Sequence, residues 1–402
     1  MPETPAALPP FASDNYAGTH PDVLAAVAAA NDGFSVAYGD DPWTARLDER
    51  TAEVFGPGAL AFPLTNGTGA NVVSLMALSE RWGGVVASDL AHANTDENGA
   101  PERVGGLKIL PCPSTDGRIT PDDVARWAGQ RHDVHRAHPG VLTLTQSTEL
   151  GTVYSVDATR ALVEAAHGLG MAVHVDGSRL ANAAASLGCS LGALTRDLGV
   201  DVLSFGAAKN GGMIGEAVVV LAPEDAPQVP GSGYDGAARR RAAVDAVPYL
   251  RKATMQLVSK TRYVSAQLLA LLGEPGEPVD AADGSAAPLW HRNAAHANAM
   301  ARRLRDGLGA ADVLDVTPGP AGTEPDELVV PQGIRVTRPV EANAVFATLP
   351  REAADRLRER SRFYDWAAGE TPDRVEVRWM CSWDTPADAV DTFVAAVAAE
   401  LS

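Results

Sequence analysis

The stretch DVLSFGAAKNGG, Asp201 to Gly212, decides how the chain is read. Asp201 to Phe205 has the apolar and β-branched make-up of a short buried strand. Gly206, Ala207 and Ala208 leave room for a ligand against the backbone, and Gly211 and Gly212 let the chain turn away. Lys209 sits between these two small-residue groups. Read alone, it is either a strand-end lysine with its head in water or a desolvated amine. A desolvated amine binds its proton less tightly and can attack an aldehyde. Composition bears on the choice. The chain has four lysines (Lys108, Lys209, Lys252 and Lys260) among 33 basic residues, so 29 are arginines. Arginine cannot form an imine.

Outward from this stretch, strands and helices alternate. Strands are expected at Leu60–Leu64, Gly84–Ser88, Lys108–Pro111, Val141–Gln146, Ala172–Asp176 and Glu216–Leu221. Helices are expected at Pro21–Asn31, Trp43–Phe55, Ala70–Arg81, Thr120–Gly129, Asp157–Leu169 and Leu191–Leu198. Such alternation predicts an α/β domain with a mostly parallel sheet covered on both faces. Residues 223–248, with Pro, Gly and the run Arg239-Arg240-Arg241, read as an insertion; residues 249–273 read as one helix and 274–288 as a loop. A long helix, Leu289–Leu308, then leads into a small C-terminal α+β layer containing a loose stretch at 317–333. The expected organisation is an N-terminal arm (1–44), a large domain (45–288) and a small domain (289–402).

Bulk properties exclude several classes of function. A length of 402 residues gives ample core for more than one domain. A net charge of −18 argues against a nucleic-acid or anionic-membrane partner. No apolar run is long enough to span a membrane, and the N-terminus lacks the basic start and apolar core of a signal peptide. Cys112, Cys189 and Cys381 are far apart and read as reduced thiols, which predicts a cytoplasmic protein.

Four further places can carry chemistry. Asn66-Gly67-Thr68-Gly69 lies between a strand and a helix, where free N–H groups and the helix dipole favour an anion. It lacks the lysine of a nucleotide loop and the GxGxxG of a dinucleotide fold, which leaves a phosphate monoester or a plain capped helix. Asp176 ends an apolar strand at the edge where ligands of open α/β sheets sit; it is a buried carboxylate needing a cation, or a cap for the next helix. Arg179 follows three residues later and offers a two-pronged grip on a carboxylate. His92 heads a polar loop with Asn94, Asp96 and Glu97, where an imidazole can stack on a ring or move a proton. His132, His135 and His138 are spaced like metal ligands, but Pro139 and the loop composition argue against a helix that presents them together, so no metal is expected. Arg378, in a strand bordered by Trp379 and Trp383, is a second candidate for a carboxylate.

The order anion loop, Asp-x-x-Arg, strand-end lysine suits pyridoxal 5′-phosphate (PLP). It resembles the aspartate-aminotransferase-like fold, PLP fold type I. The stretches FASDNYAG, AYGDDPWTA, TNGTGAN, AHANTDENGAPE, VHVDGSRLANA, SFGAAKNGG, WHRNAAHANAMA and VRWMCSWDT together resemble the L-threonine aldolase family, in its low-specificity, phenylserine-aldolase-like branch. The resemblance spans nearly the whole chain. It implies a lyase that splits threonine, allo-threonine or phenylserine into glycine and an aldehyde. It implies Lys209 as the Schiff-base lysine, Asp176 as partner of the pyridinium nitrogen, and Asn66, Gly67 and Thr68 as phosphate ligands. By the same resemblance His92 stacks on the ring, Ser13, Arg179 and Arg378 hold the substrate carboxylate, and His135 lies near the substrate hydroxyl. Arg262, or Lys260, reaches the phosphate of a neighbouring subunit in a homodimer or homotetramer with shared sites. Ser178 stands where the family usually has Ala, and segment 223–248 is longer than usual. The competing readings are an aminotransferase or β-eliminating lyase on the same fold, and a non-catalytic module that keeps only the fold.

Overall fold

A computed structural model describes residues 8–279, 287–310 and 333–401. They group into two units, Gly18–Glu149 with Val153–Arg292, and Met1–Ala17 with Leu150–Thr152 and Asn293–Ser402.

The larger unit is built on one seven-stranded sheet. Its strands are β1 (Leu60–Leu64), β2 (Gly83–Ser88), β3 (Lys108–Cys112), β4 (His138–Thr145), β5 (Ala172–Gly177), β6 (Val202–Gly206) and β7 (Glu216–Val220). Their order across the sheet is β1-β7-β6-β5-β4-β2-β3. The five strands β6 to β3 pair in parallel, and β7 pairs antiparallel with β6 and β1. β2, β5, β6 and β7 are buried along their whole length, which explains their mostly apolar make-up. One polar line crosses this core. Thr143 Oγ1 meets His174 Nδ1 at 2.8 Å, His174 Nε2 meets Ser204 Oγ at 2.8 Å, and Ser204 Oγ meets Ser74 Oγ at 3.2 Å. Burial pushes the His174 imidazole down to about 4, so it is neutral.

Four local expectations need correction. Residues 223–248 are not a peripheral insertion. They form a short hairpin, β8 (Gln228–Val229) with β9 (Tyr234–Asp235), and the start of an 18-residue helix, Gly236–Ala253, capped by Asp235. Ala243 and Val247 of that helix join the main core with Leu64, Val73 and Val218. The expected helix over 249–273 is two helices. The first ends at Ala253, Met255 takes a left-handed φ of 62°, and the second runs Arg262–Leu272. The expected helix Leu191–Leu198 is a series of turns ending in a 3-10 turn, Arg196–Leu198. Gly192 packs under the Val54 carbonyl and Thr195 bonds back to Leu191 O at 2.7 Å, so the segment follows its neighbours rather than a helical period. The helix expected over Thr120–Gly129 shortens to Pro121–Ala125 with a 3-10 turn after it.

The other unit contains a four-stranded antiparallel sheet. Its strands are β10 (Arg335–Val336), β11 (Ala344–Pro350), β12 (Tyr364–Ala368) and β13 (Arg374–Met380), in the order β10-β11-β13-β12. Helices Arg351–Arg358 and Ala387–Leu401 cover it, and Phe11, Trp379 and Phe393 share its core. The loose stretch expected at 317–333 lies outside the described residues except for Gly333. No described helix is long and apolar enough to cross a membrane.

Candidate active site

Parallel strands that share a direction deliver the residues after their C-terminal ends to one edge of the sheet. β5 ends in Asp176 and Gly177, and Asp176 stands in register with Thr145 of β4 and Ser204 of β6. β6 ends at Gly206 and passes into the one-turn 3-10 helix Ala208–Asn210 that carries Lys209. A Cβ on Gly206 would lie 2.7 Å from the Ser178 Cα and carbonyl oxygen, so only glycine lets the lysine turn pack against the Asp176–Arg179 loop. Lys209 and Asp176 are thereby brought to the same sheet edge, near enough for the lysine charge to act on the carboxylate. Burial alone would push the Asp176 carboxyl up. The Lys209 charge, with hydrogen bonds from Ser178 and Asn71, outweighs it and holds the group below its usual value. The contacts are Ser178 N–H and O–H to Oδ1, at 3.0 and 2.8 Å, and Asn71 Nδ2 to Oδ2, at 2.9 Å.

β2 delivers His92, first residue of the one-turn helix His92–Thr95. His92 Nδ1 lies 3.2 Å from Glu97 Oε1, and that oxygen accepts Asn71 Nδ2 at 2.9 Å. His92, Glu97, Asn71 and Asp176 therefore form one network. The hydrogen bond to Glu97 raises the imidazole's proton affinity despite burial, with help from the charges of Glu149 and Asp176. Burial in turn pushes Glu97 up.

β1 delivers the anion loop. Asn66 caps helix Gly67–Leu78 by accepting Gly69 N–H at 2.8 Å, so its side chain is committed to the helix and the loop offers its backbone instead. Gln256 lies directly over this helix start. Its Oε1 takes the Thr65 N–H at 3.3 Å and the Thr65 hydroxyl, and a Cβ on Gly69 would fall 2.1 Å from its Cδ.

Arg179 is buried at the start of helix Leu180–Leu187. Arg262 donates to Gly33 O at 3.4 Å within its own chain, and Lys260 is exposed. In the other unit, Arg378 donates to Ala12 O at 3.1 Å beneath Trp366, and Ser13 caps the turn Asp14–Tyr16.

His135 is a correction. It is exposed in the turn before β4, at the N-terminal edge of the sheet, while Thr145 at the other end of β4 pairs with Asp176. Eight strand residues at about 3.3 Å each separate the two edges. Within one chain, His135 cannot serve the Lys209 site. Conversely, Asn71, Glu97, Glu216 and Gln256 belong to the site and had no assigned role from sequence. Glu97 and Asn71 stood inside quoted motifs. Gln256 had no signal, because it is presented by the unforeseen break after Ala253.

These residues fit PLP. The buried Asn71 Oδ1 and Glu97 Oε2 have no partner within the chain, as expected if a bound group completes the site. The helix start favours a phosphate, and Asp176 is a buried anion suited to a protonated ring nitrogen. Among the described residues, no cluster of His, Cys, Asp and Glu could hold a metal ion.

Comparison with known proteins agrees with this geometry. A family model described as beta-eliminating lyase matches residues 10–329. The low specificity L-threonine aldolase of a Pseudomonas sp. is 36% identical over 98% of both chains, and that of Pseudomonas aeruginosa is 38% identical over 94% of both. The solved structure of Leishmania major threonine aldolase covers 98% of this chain and is itself wholly covered, with a TM-score of 0.80 at 24% identity. Thermus thermophilus aspartate aminotransferase covers 98% of this chain, which covers 92% of it, with a TM-score of 0.59 at 15% identity; the aminotransferase-like fold is thus the observed one. A lysine and an aspartate brought to the C-terminal edge of such a sheet, in a chain this close to those enzymes, place it in a definite group: the chain belongs to the beta-eliminating lyase family, alongside the low-specificity L-threonine aldolases.

Proposed function

We propose that the chain is a PLP-dependent aldehyde-lyase that cleaves L-threonine, L-allo-threonine and related β-hydroxy-α-amino acids such as phenylserine into glycine and an aldehyde. The observation that carries this reading is that Lys209, Asp176 and the anion loop are delivered to one edge of the sheet, where the lysine charge acts on the carboxylate. When bound, PLP supplies an aldehyde for Lys209 and a ring that accepts the electrons of a broken Cα–Cβ bond. Lys209 holds the cofactor, Asp176 keeps its ring nitrogen protonated, and the Gly67 and Thr68 backbone with Gln256 receives its phosphate. Arg179 supplies the cation for the substrate carboxylate, the role that the family resemblance also gives to Ser13 and Arg378. His92 is the group for the β-hydroxyl proton. With Nδ1–H donating to Glu97, its Nε2 carries the free lone pair. The hydroxyl proton passes to Nε2, the aldehyde departs, and the proton held at Nε2 is returned, directly or through water, to Cα to give glycine.

A homo-oligomer with shared sites is part of the proposal. Phe34, Val36, Tyr38, Tyr249 and Met255 are large, apolar and exposed, and Met255 adjoins Gln256 over the anion loop. Cys112, Cys189 and Cys381 are thiols outside any disulfide, in keeping with a reducing, cytoplasmic setting. The test incubates holoprotein with threonine, allo-threonine and phenylserine and measures glycine and aldehyde against ammonia and keto acid. Glycine with aldehyde is expected, and Lys209→Ala abolishes it together with the cofactor's visible band. Ammonia with keto acid would make the chain a β-eliminating lyase instead. Normal turnover in Lys209→Ala would remove the lysine from its role.

A further inference from the structure

Glu216 is a buried carboxyl that the mechanism above does not use. It opens β7, in register with Gly206, the last residue of β6, on one side and with Leu64 on the other. Beyond Gly206 the ladder stops, because β6 turns into the lysine-bearing 3-10 helix. The next backbone N–H, that of Ala207, is buried without a strand partner, a costly arrangement unless something replaces the ladder. The Glu216 side chain does so. Ala207 N–H donates to Oε2 at 2.5 Å, and Ala208 N–H also engages the carboxyl. The Ala207 carbonyl is filled from the other side, by Asn210 N and Gly212 N, both at 3.0 Å. Ala207 is therefore the pivot of the turn, held at both ends.

We propose that Glu216 is a positioning residue for Lys209: its carboxyl clamps the Ala207 and Ala208 backbone and so sets where the lysine amine points. The proposal rests on Lys209 being the cofactor lysine. The charged groups acting on Glu216 are Lys209 and Asp176. Burial, opposed by the N–H contacts and the Lys209 charge, pushes the carboxyl up to about 7. A carboxyl in this state gives the backbone its acceptor at either protonation, and when ionised it places a negative charge beside the amine.

The variants Glu216→Gln and Glu216→Ala separate clamp from charge. In apoprotein, the pH dependence of Lys209 reductive methylation is followed by peptide mass, and the rate of pyridoxal phosphate capture by absorbance. Glu216→Gln keeps an acceptor, so capture stays within about threefold of wild type, while the methylation profile moves to lower pH because the charge favouring the ammonium form is gone. Glu216→Ala loses the clamp, and capture slows by about 10²-fold, the scale of a misplaced reacting group. Wild-type capture and an unmoved profile in both variants would overturn the proposal. If Glu216→Ala does not fold, Glu216→Leu, which fills the same space without an acceptor, takes its place, and wild-type capture in that variant overturns the proposal. Borohydride reduction of wild-type holoprotein, mapped among the four lysines, keeps the two readings apart. A label on another lysine overturns both the site and the clamp. A label on Lys209 with wild-type behaviour in both variants overturns the clamp alone.

Discussion

Replacing Asp176 with asparagine changes one atom and removes one charge, and the surrounding bonds allow the cost to be divided. Oδ1 takes two donors from Ser178 and Oδ2 takes Asn71 Nδ2. A carboxamide keeps the Ser178 contacts with its oxygen but turns its NH₂ toward Asn71. Asn71 can rotate its amide, since its own Oδ1 has no partner, and present that oxygen instead. The rotated oxygen then faces Glu97, which burial keeps more readily protonated than an ordinary carboxyl. The pocket can therefore rearrange around Asp176→Asn for about 1 kcal/mol, the difference between a charged and a neutral hydrogen bond. The larger loss is to the cofactor. A protonated ring nitrogen left unpaired in a buried site costs about 3–5 kcal/mol, or roughly 10²- to 10⁴-fold in rate. The control is Asp89→Asn, whose carboxylate takes the Ser114 hydroxyl at 2.6 Å on the loop after β2. Its turnover should fall by less than about tenfold, as for ordinary partly exposed contacts. The assay is glycine release at saturating cofactor, with cofactor affinity measured by titration and fold checked by urea unfolding. Equal rates in the two variants would reduce Asp176 to a cap for the loop that follows it.

Three further outcomes follow from the same structure. His92→Phe should lower glycine release by about 10²–10⁴-fold at saturating cofactor, whereas His135→Phe stays within about threefold of wild type, because only the first faces the Lys209 edge; the reverse ranking would place the proton acceptor elsewhere. The rate should climb with pH through a midpoint above the usual histidine value, since Glu97 raises the His92 proton affinity and only the neutral ring accepts a proton; His92→Phe should erase that limb. His174 is held neutral down to about 4 in the fold and takes a proton near 6.5 when unfolded. Its contribution is complete above 6.5 and is lost as pH falls from 6.5 to 4, about 3 kcal/mol in all; urea unfolding across that range should show the loss in wild type and not in His174→Asn.

The sheet was legible because its central strands are mostly apolar, and Lys209, Asp176, His92 and the anion loop were legible because each lies at or just after the end of such a strand. The helix Gly236–Ala253 was hidden by physical features that resemble a loop: three consecutive arginines, of which Arg240 is buried, and Pro248 inside the helix. The break at Met255 depends on a left-handed backbone that no glycine announced. His135 is different, because the information was present. A residue before a strand of a parallel sheet lies at the edge away from the ligand, and the turn that holds it precedes β4. Glu216 was read only as the first residue of a strand, since its value lies in facing a neighbour whose ladder has ended.

The register of β5 against β6 has a use beyond holding the sheet together. Asp176 sits level with Ser204. Sliding one strand by two residues would keep every apolar side chain facing its proper layer yet carry the carboxylate about 6–7 Å along the strand, away from Lys209. A mispaired chain could therefore remain collapsed and water-soluble while losing its grip on the coloured cofactor. During refolding, the return of yellow should trail the return of the core, and the lag between the two signals would time how long the strands take to find their proper partners.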